Sequence, residues 1–528
     1  MECDYLVIGG GSSGSVMASR LSEDGSKRVV LLEAGGTGAS WVVKTPAAVA
    51  AMLPTRLNNW AFETVPQAGL NGRRGYQPRG KMLGGSSGMN AMVYVRGQPQ
   101  DYDDWAAQGN LGWSYQDVLP YFIRSEDNQQ FGLPWHGQAG PLKVSALQSD
   151  NPFQQHFLQA AAEAGFTLNS DFNGASQEGL GVYQVTQVNG ERCSAARAYL
   201  HPHLGKRHNL QVLCNAQVTR LRFEGKRAVA VEFFQDGVLR TIKVNAEVLL
   251  CAGAIQSPQI LMLSGIGPAK QLQEFGIPVV HDLAGVGQNF HDHPDFVLKY
   301  RSASRDLLGV SLTGSLRLAK DLWRYRRIRR GLLSSNGAEC GGFLRSSAAV
   351  TRPDLQLHFV IALLEDHARK IRYGHGFACH VCVLRPRSRG SIQLASPDPL
   401  AAPLIDPAFL SDDDDVQTLL AGYKLTRKLM TAPALQAQAL EALNHAESDA
   451  EIIALLREGT DTVYHPVGSC KMGVDAMAVV DPQLRVHGIE GLRVIDASVM
   501  PSVVSGNTNA PCIMMAEKAV DMMRQAQA

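Results

Sequence analysis

A histidine followed by a proline, His465-Pro466, is the residue of this chain best suited to proton transfer. An imidazole titrates near neutral pH and can therefore take a proton from a hydroxyl group as a general base. Because the residue before a proline is restricted to extended backbone, the ring of His465 would be held on a fixed support. The alternative is a core histidine with both ring nitrogens hydrogen-bonded. The residue types alone leave both interpretations open.

Three glycines near the amino terminus have the spacing of a nucleotide-binding turn. Gly9, Gly11 and Gly14 form G-x-G-x-x-G between an apolar run, residues 5–8, and a predicted helix over residues 15–21. Glycine allows the backbone to approach a diphosphate, whose negative charge is bound by the free N–H groups at the start of the helix. The pattern predicts a predominantly parallel sheet with a dinucleotide at the carboxyl ends of its strands.

A carboxylate stands where such a site needs one for ribose. The second apolar run, Val29–Leu32, ends at Glu33. A carboxylate at this distance from the glycines accepts hydrogen bonds from ribose hydroxyls. Glu33 therefore favours an unphosphorylated ribose, as in FAD or NAD, without deciding between them.

Two further segments rich in small residues add to this site. The first, residues 79–90, contains Arg79 and Lys81, whose charges could neutralise phosphate. The second, residues 248–265, is predicted to be a buried strand followed by a helix, with Pro258 in its first turn. We expect the cofactor to contact strands that are far apart in the sequence.

Composition excludes several other classes of protein. The 528 residues include 50 Lys plus Arg and 49 Asp plus Glu, a balance that gives no reason to expect a nucleic-acid partner. No run of eighteen apolar residues predicts a membrane span, and the acidic Glu2 and Asp4 do not fit a secretion signal. Nine scattered cysteines suit a reducing compartment. A cytoplasmic location is therefore expected.

One basic segment leaves a membrane contact open. Five arginines alternate with aromatic and aliphatic residues there: Arg324, Arg326, Arg327, Arg329 and Arg330. This segment either lies on the inner face of the cytoplasmic membrane, close to a quinone pool, or forms a solvated helix face beside the substrate entrance.

The chain resembles the glucose-methanol-choline (GMC) family of FAD-dependent oxidoreductases. The opening glycine motif, R-G-K-M-L-G-G-S-S from Arg79, G-A-I-Q-S-P-Q-I-L from Gly253, Y-H-P-V-G-S from Tyr464 and G-N-T-N-A-P from Gly506 occur in the family's order. Within the family it looks most like bacterial aliphatic alcohol dehydrogenases of alkane degradation, and then like choline dehydrogenase. The resemblance implies an α/β fold with α+β elements, in which a Rossmann-like FAD-binding domain accompanies a discontinuous substrate-binding domain built on an antiparallel sheet.

The family's functional residues can be carried over position by position. The catalytic pair falls on His465 and Asn507, with Asn509 as the nearby alternative to Asn507. The resemblance implies that Asp496, Ala497 and Thr508 lie along the isoalloxazine, that Val218 lies near adenine, and that Gly84, Gly85, Asn90 and Val93 pass close to the flavin or its phosphates. Their neighbours in the same segments complete the predicted cofactor contacts: Ser12, Ser13, Ala34, Trp60, Ser86, Ala91, Ala252, Gly253 and Ser257. Tyr464 is predicted to contact substrate.

These positions imply oxidation of a primary alcohol, expected to be an aliphatic alcohol of medium chain length, to an aldehyde. His465 would remove the hydroxyl proton while hydride passes to flavin N5, and Asn507 would bind the same oxygen. Some relatives attach FAD covalently through a histidine where this chain has Met89, so noncovalent FAD is expected. The likeness to the alcohol dehydrogenases favours a quinone or another non-oxygen compound as the electron acceptor. The alternative functions are an alcohol oxidase that uses oxygen, a choline dehydrogenase, and a lyase or photodecarboxylase of the same fold.

The motifs divide the chain into two discontinuous domains. Residues 1–150, 191–300 and 461–528 are assigned to the FAD-binding domain, and residues 151–190 and 301–460 to the substrate-binding domain. In the latter, Glu339 either faces a cationic substrate or pairs with an arginine. No metal is expected, because His291-Asp292-His293 lacks further ligands and is interpreted as a structural loop.

Overall fold

Two β-sheets organise the chain, and each has its own apolar core. The computed structural model describes residues 1–363, 365–370 and 372–526. The α-helices are Ser12–Leu21, Trp41–Lys44, Val49–Met52, Pro99–Ala107, Tyr115–Ser125, Phe153–Glu163, Gly253–Leu263, Ala269–Glu274, Leu312–Ile328, Asp413–Met430, Pro433–Gln436, Asp449–Gly459 and Asn509–Gln525.

The first sheet carries the nucleotide-binding pattern. Its strands run in the order Leu210–Leu213, Val29–Leu32, Glu2–Ile8, Val238–Leu250, Arg227–Gln235 and Ala216–Glu224, and Leu492–Val494 pairs with Val238–Leu250. Arg227–Gln235 pairs antiparallel with both of its neighbours, Val238–Leu250 and Ala216–Glu224. The other neighbouring strands of this sheet are parallel. Parallel strands end at the same edge of a sheet, so Gly9, Glu33, Cys251 and Asp496 lie along one edge.

Helices cover this sheet where the sequence predicted them. The helix Ser12–Leu21 follows the first strand directly and packs against Asn509–Gln525. The helix within the second small-residue segment, Gly253–Leu263, contains Pro258 in its interior, so the prediction that this proline lies in the first turn is wrong. Proline cannot donate to the carbonyl four residues earlier. The hydroxyl of Ser469 donates to that carbonyl, of Ala254, instead.

The second sheet is antiparallel throughout. Its strands run in the order Glu441–Ala442, Pro294–Ser302, Gly374–Val383, Leu355–Val360, Ala338–Leu344 and Gly179–Val182, with Gly309–Val310 and Asp461–Thr462 paired at its sides. The helices Phe153–Glu163 and Asp413–Met430 pack on it. The predicted fold class is confirmed by this combination of a Rossmann-like sheet and an antiparallel sheet. The domain bounds stay a prediction, and the strand Pro294–Ser302 crosses the predicted boundary at residue 300.

Five two-stranded sheets accompany the two large sheets in the described part of the chain. They are Phe62–Glu63 with Tyr76–Gln77, Glu126–Asn128 with Leu142–Val144, Gln187–Val188 with Glu191–Arg192, Ile266–Gly267 with His281–Asp282, and Ser391–Gln393 with Leu404–Asp406. Within the described part of the chain, every helix is too short or too polar to cross a bilayer.

The basic segment lies at the end of the helix Leu312–Ile328. Arg324 and Arg330 pair with Asp150, at 3.8 and 2.9 Å, and Arg329 pairs with Glu191 at 3.4 Å. Much of its positive charge is therefore compensated within the chain. The helix nevertheless exposes two large apolar side chains, Trp323 and Ile328.

Candidate active site

A long cavity runs from the carboxyl edge of the first sheet to the face of the second. Gly9, Glu33 and Asp496 line it at the first sheet, and His358 and His380 line it at the second. It therefore joins the two parts of the chain to which sequence analysis assigned cofactor and substrate.

The glycine motif packs more tightly than ordinary side chains would allow. Gly9 has a φ of +94°, and a Cβ there would lie 2.6 Å from the Cys251 carbonyl oxygen. A Cβ on Gly14 would lie 1.9 Å from the carbonyl oxygen of Gly9. Gly11 is the N-cap residue of the helix Ser12–Leu21, and it provides no side chain to cap the first N–H groups. These free donors and the positive end of the helix dipole face the cavity, which fits the diphosphate of FAD.

Glu33 lines the cavity and holds the backbone of two glycines. Its Oε2 accepts from the Gly10 N–H at 2.9 Å and its Oε1 from the Gly35 N–H at 2.8 Å. Burial raises the pKa of this carboxyl group, and the two N–H donors and Lys81 oppose that effect. Each carboxylate oxygen has further lone pairs, so Glu33 remains able to accept from ribose hydroxyls.

Arg79 supports the segment that carries His465. Its Nη1 and Nη2 both donate to the Tyr464 carbonyl at 3.2 Å, and its Nε donates to the Pro78 carbonyl. Tyr464 has a φ of +74°, and its hydroxyl lies 2.5 Å from His367 Nδ1. The guanidinium predicted to neutralise phosphate thus lines the cavity while also fixing the left-handed turn before His465.

The central arrangement is a chain of hydrogen bonds through His465. His293 Nε2 lies 3.1 Å from the Leu384 carbonyl, which can only accept, so this nitrogen carries the proton. His293 Nδ1 then accepts from His465 Nδ1, 3.1 Å away. The remaining nitrogen of His465, Nε2, therefore holds a lone pair. It accepts from Asn507 Nδ2 at 3.0 Å.

The backbones of both histidines are held by a single carboxylate. Asp292 Oδ1 accepts from the N–H groups of His465 and His293, at 2.9 and 2.8 Å, and its Oδ2 accepts from the Thr462 hydroxyl. Burial raises the pKa of Asp292 to about 6, although these donors and Arg79 oppose the shift. Asp292 thereby fixes the two rings relative to each other.

Burial keeps the central imidazoles neutral. The pKa of His465 is well below its usual value, because it is desolvated and because His293, His358 and Arg79 disfavour a further positive charge. Desolvation likewise lowers the pKa values of His293 and His358 to about 3. A neutral imidazole can accept a proton at the nitrogen that holds its lone pair, and this is the state that a general base requires.

Asn507 is oriented from the second sheet. Its Oδ1 accepts from Gln356 Nε2 at 3.0 Å, so its Nδ2 must point towards His465. Gln356, His358 and Val360 are alternate residues of the strand Leu355–Val360, and the last two line the cavity. His358 pairs across the sheet with His380.

Most of the predicted site residues line this cavity. Those that do are Gly9, Gly11, Ser12, Ser13, Glu33, Ala34, Trp60, Arg79, Gly85, Ser86, Asn90, Ala91, Val93, Val218, Ala252, Gly253, Tyr464, His465, Asp496, Ala497, Asn507 and Thr508. Asn509, the alternative to Asn507, also lines it, and its side chain accepts from Ser12 instead of reaching His465.

Three predicted cofactor residues lie behind the lining and support it. Gly14 packs on Gly9, and a Cβ on Gly84 would lie 3.2 Å from the Ser194 hydroxyl. Ser257 donates to Asp496 Oδ2 at 2.6 Å. Their structural effect is therefore to hold the residues that face the cavity.

Glu339 is not where sequence analysis expected it. The pairing of its strand is irregular between Ala338 and Cys340, with Glu339 as the extra residue, and it is Ala338 that lines the cavity. Glu339 is fully buried, and it accepts from the Ser335 hydroxyl at 2.6 Å and from Gln154 Nε2 at 2.9 Å. Both expectations were wrong: Glu339 does not line the cavity, and it pairs with no arginine among the described residues.

Sequence analysis missed residues that position the site. Sequence analysis interprets His293 as part of a structural loop, and the H-D-H spacing is the signal that the sequence offers for it. Arg192, fully buried, donates to the Asn90 carbonyl at 2.6 Å and to Asn90 Oδ1 at 2.9 Å, and burial lowers its pKa to about 9. No periodic pattern marks an arginine of this kind.

Comparison with known proteins agrees with this geometry. Residues 3–295 and 386–516 match the amino-terminal and carboxyl-terminal family models, both described as GMC oxidoreductase. The chain is 45% identical over 526 residues to alcohol dehydrogenase [acceptor] of Pseudomonas putida, covering 98% of this chain and 95% of that protein. It is 43% identical over 539 residues to human mitochondrial choline dehydrogenase, covering 99% and 90%.

A solved structure gives the same result for the fold. The FAD-dependent oxidoreductase from Chaetomium thermophilum superposes with a TM-score of 0.88 at 27% identity, covering all of both chains. FAD is accordingly the expected cofactor, and the free helix start and the glycine turn fit it. The matched segments span well over half of the sequence, and the chain belongs to the GMC oxidoreductase family.

Proposed function

We propose that this chain is an FAD-dependent dehydrogenase of primary aliphatic alcohols, and that it releases the aldehyde. The observation that supports this most directly is the pair formed by His465 Nε2 and Asn507 Nδ2, 3.0 Å apart on the cavity wall. A lone pair and an amide donor side by side suit a hydroxyl group, which donates to the first and accepts from the second.

FAD, when bound, supplies a ring that accepts hydride from the alcohol carbon and holds two electrons for the acceptor. His465 Nε2 takes the hydroxyl proton, since an alkoxide releases hydride far more readily than a neutral alcohol. Asn507 Nδ2 binds the same oxygen and limits its rotation. His293 keeps the other ring nitrogen protonated, so the lone pair stays on the side of the substrate.

The lining near this pair favours a neutral, straight-chain substrate. Leu308, Ala338, Val360 and Ala362 contribute apolar side chains to the cavity. Burial of a methylene group is worth about 0.8 kcal/mol, equivalent to about fourfold in kcat/KM. We therefore expect kcat/KM to rise about fourfold per carbon from 1-propanol to 1-hexanol. A flat series would contradict a substrate chain bound on this wall.

Choline is the second candidate, favoured by the 43% identity to human choline dehydrogenase. A quaternary ammonium group would need a carboxylate or an aromatic cage. The carboxylates of the described lining, Glu33 and Asp496, already accept from backbone N–H groups, and Glu339 faces away. We expect kcat/KM for choline to be lower than for 1-hexanol by at least tenfold. The reverse order would establish choline as the better substrate.

For the acceptor we propose a quinone or another non-oxygen oxidant. The decisive experiment mixes the enzyme with 1-hexanol and oxygen, or with 1-hexanol and a quinone analogue, and measures peroxide and quinone reduction separately. Quinone reduction much faster than peroxide formation supports a dehydrogenase. Stoichiometric peroxide at a comparable rate would identify an oxidase.

A quinone would be reached from the membrane surface, and the exposed Trp323 and Ile328 beside Arg326 and Arg327 are suited to such a contact. Flotation with phosphatidylglycerol vesicles tests this. The variant Trp323→Ser/Arg326→Glu should float less than the wild type, and Arg345→Glu, an exposed arginine paired with Glu178, is the control. Equal flotation of all three would contradict a membrane role for this segment.

A further inference from the structure

A second cavity, open to solvent, lies beside Ser502 and Val503, a few residues before Asn507 in the chain. It is lined by four arginines, Arg352, Arg385, Arg387 and Arg389, together with Asp101 and Asp104. We call it the arginine cleft. His291, Ser502 and Val503 also line it, so the cleft borders the chain just before Asn507.

Two of the four arginines have carboxylate partners. Arg352 Nη2 pairs with Asp104 at 2.6 Å, and Arg387 pairs with Asp414. The Nη1 of Arg352 is buried without a hydrogen-bond partner, and its ion-pair distance to Asp101 Oδ1 is 3.8 Å, too long for a hydrogen bond. Even a paired arginine of this cleft therefore keeps a donor unused.

The other two arginines bind only neutral groups. Arg385 donates to the Pro353 carbonyl at 2.7 Å and to the Ser505 hydroxyl at 3.2 Å. Arg389 donates to Asn289 Oδ1 at 3.0 Å and to nearby carbonyls. In the described part of the chain, neither forms an ion pair. Burial and the neighbouring Arg352 lower the pKa of Arg385, whereas the more distant carboxylates of Asp101, Asp354 and Asp104 oppose this shift.

We propose that the arginine cleft binds a small dianion free in solution, such as phosphate or a dicarboxylate. Planar guanidinium groups bind carboxylate and phosphate oxygens through paired N–H donors. Arg385 and Arg389, neither of which forms an ion pair among the described residues, offer two guanidinium groups, which a dianion can engage more fully than a monoanion. The unused Nη1 of Arg352 supplies a further donor.

The position of the cleft links its occupant to the catalytic segment. Arg385 holds the Ser505 hydroxyl, and the N–H of Ser505 donates to Asp101 Oδ2 at 2.6 Å. The Val503 N–H donates to His291 Nε2 at 3.0 Å. Asn507 follows two residues after Ser505. An anion held by Arg385 would therefore stiffen residues 503–507, a consequence that does not depend on which alcohol is oxidised.

Calorimetric titration of the FAD-loaded enzyme with phosphate, succinate and acetate, at constant ionic strength, tests the proposal. Phosphate and succinate should bind at least tenfold more tightly than acetate. Arg385→Gln and Arg389→Gln should each weaken phosphate binding about tenfold or more, since hydrogen bonds to charged groups are the strongest of their class. Arg345→Gln, an exposed arginine outside the cleft, is the matched control and should bind as the wild type does.

Hydrogen exchange supplies a second readout that does not rely on the variants folding identically. Phosphate should slow amide exchange within residues 503–507 of the wild-type enzyme and leave the hairpin of residues 216–235 unchanged. Equal affinities of the cleft variants and Arg345→Gln, equal binding of acetate and phosphate, or unchanged exchange at 503–507 would each overturn the proposal.

Discussion

The His293 side chain offers a sharp test, because it acts on His465 without belonging to the pair proposed to bind the hydroxyl. Replacing it in His293→Leu removes the acceptor of the His465 Nδ1–H, which the structure places 3.1 Å away. An unpaired buried donor costs about 1–3 kcal/mol. His465 can avoid this cost if its ring proton moves from Nδ1 to Nε2, although the Asn507 amide group, which donates to Nε2, opposes this move. The lone pair on Nε2 that would face the substrate is then lost.

If this cost of about 1–3 kcal/mol adds to the activation free energy, flavin reduction slows about 5- to 150-fold, because about 1.4 kcal/mol corresponds to a tenfold change in rate. Anaerobic stopped-flow bleaching of the flavin by 1-hexanol measures the step alone. His293→Gln offers an amide oxygen as the acceptor and should recover part of the rate. His136→Asn, at a buried histidine bonded to Glu126 and Asp171, controls for lost stability. Wild-type bleaching by His293→Leu would refute the assignment of the lone pair.

Three other predictions follow from the site. Asn507→Ala should slow flavin reduction about 100- to 1,000-fold with little change in KM, since it removes a donor aimed at the reacting oxygen; an unchanged rate would exclude that contact. Because burial lowers the His465 pKa well below its usual 6.5, the rate of flavin reduction should stay level from pH 8 to 6.5 and fall only at lower pH. An acid limb centred above pH 7 would contradict a neutral, desolvated base. With Met89 in place of a tethering histidine, acid precipitation should release all of the flavin into the supernatant, and yellow colour retained in the pellet would indicate a covalent bond.

Much of the nucleotide-binding edge could be predicted from the sequence, because its physics is local. A glycine turn after a buried strand, and acids at the ends of Val29–Leu32 and Leu492–Val494, must share one edge once those strands are parallel. The resemblance then predicted His465 and Asn507 as partners, and the fold brings them within 3.0 Å.

What the sequence could not predict depends on contacts between distant strands. The role of His293 depends on the Leu384 carbonyl, 91 residues later, which fixes the proton on one nitrogen. The side of the sheet that Glu339 occupies depends on an irregularity in strand pairing between Ala338 and Cys340, which the sequence pattern does not reveal. The arginine cleft could not be predicted either, because it brings Arg352 together with residues 385–389 and 502–503, which are far apart in the sequence.

The account depends most on the proton acceptor. Wild-type, His465→Ala and His465→Gln enzymes, each verified to hold FAD by its absorbance, should be mixed anaerobically with 1-hexanol while flavin bleaching is recorded. A positioned base contributes about 100- to 10,000-fold, so both variants should bleach at least about 100 times more slowly than the wild type. Bleaching at the wild-type rate in either variant would show that the lone pair of His465 does not receive the hydroxyl proton.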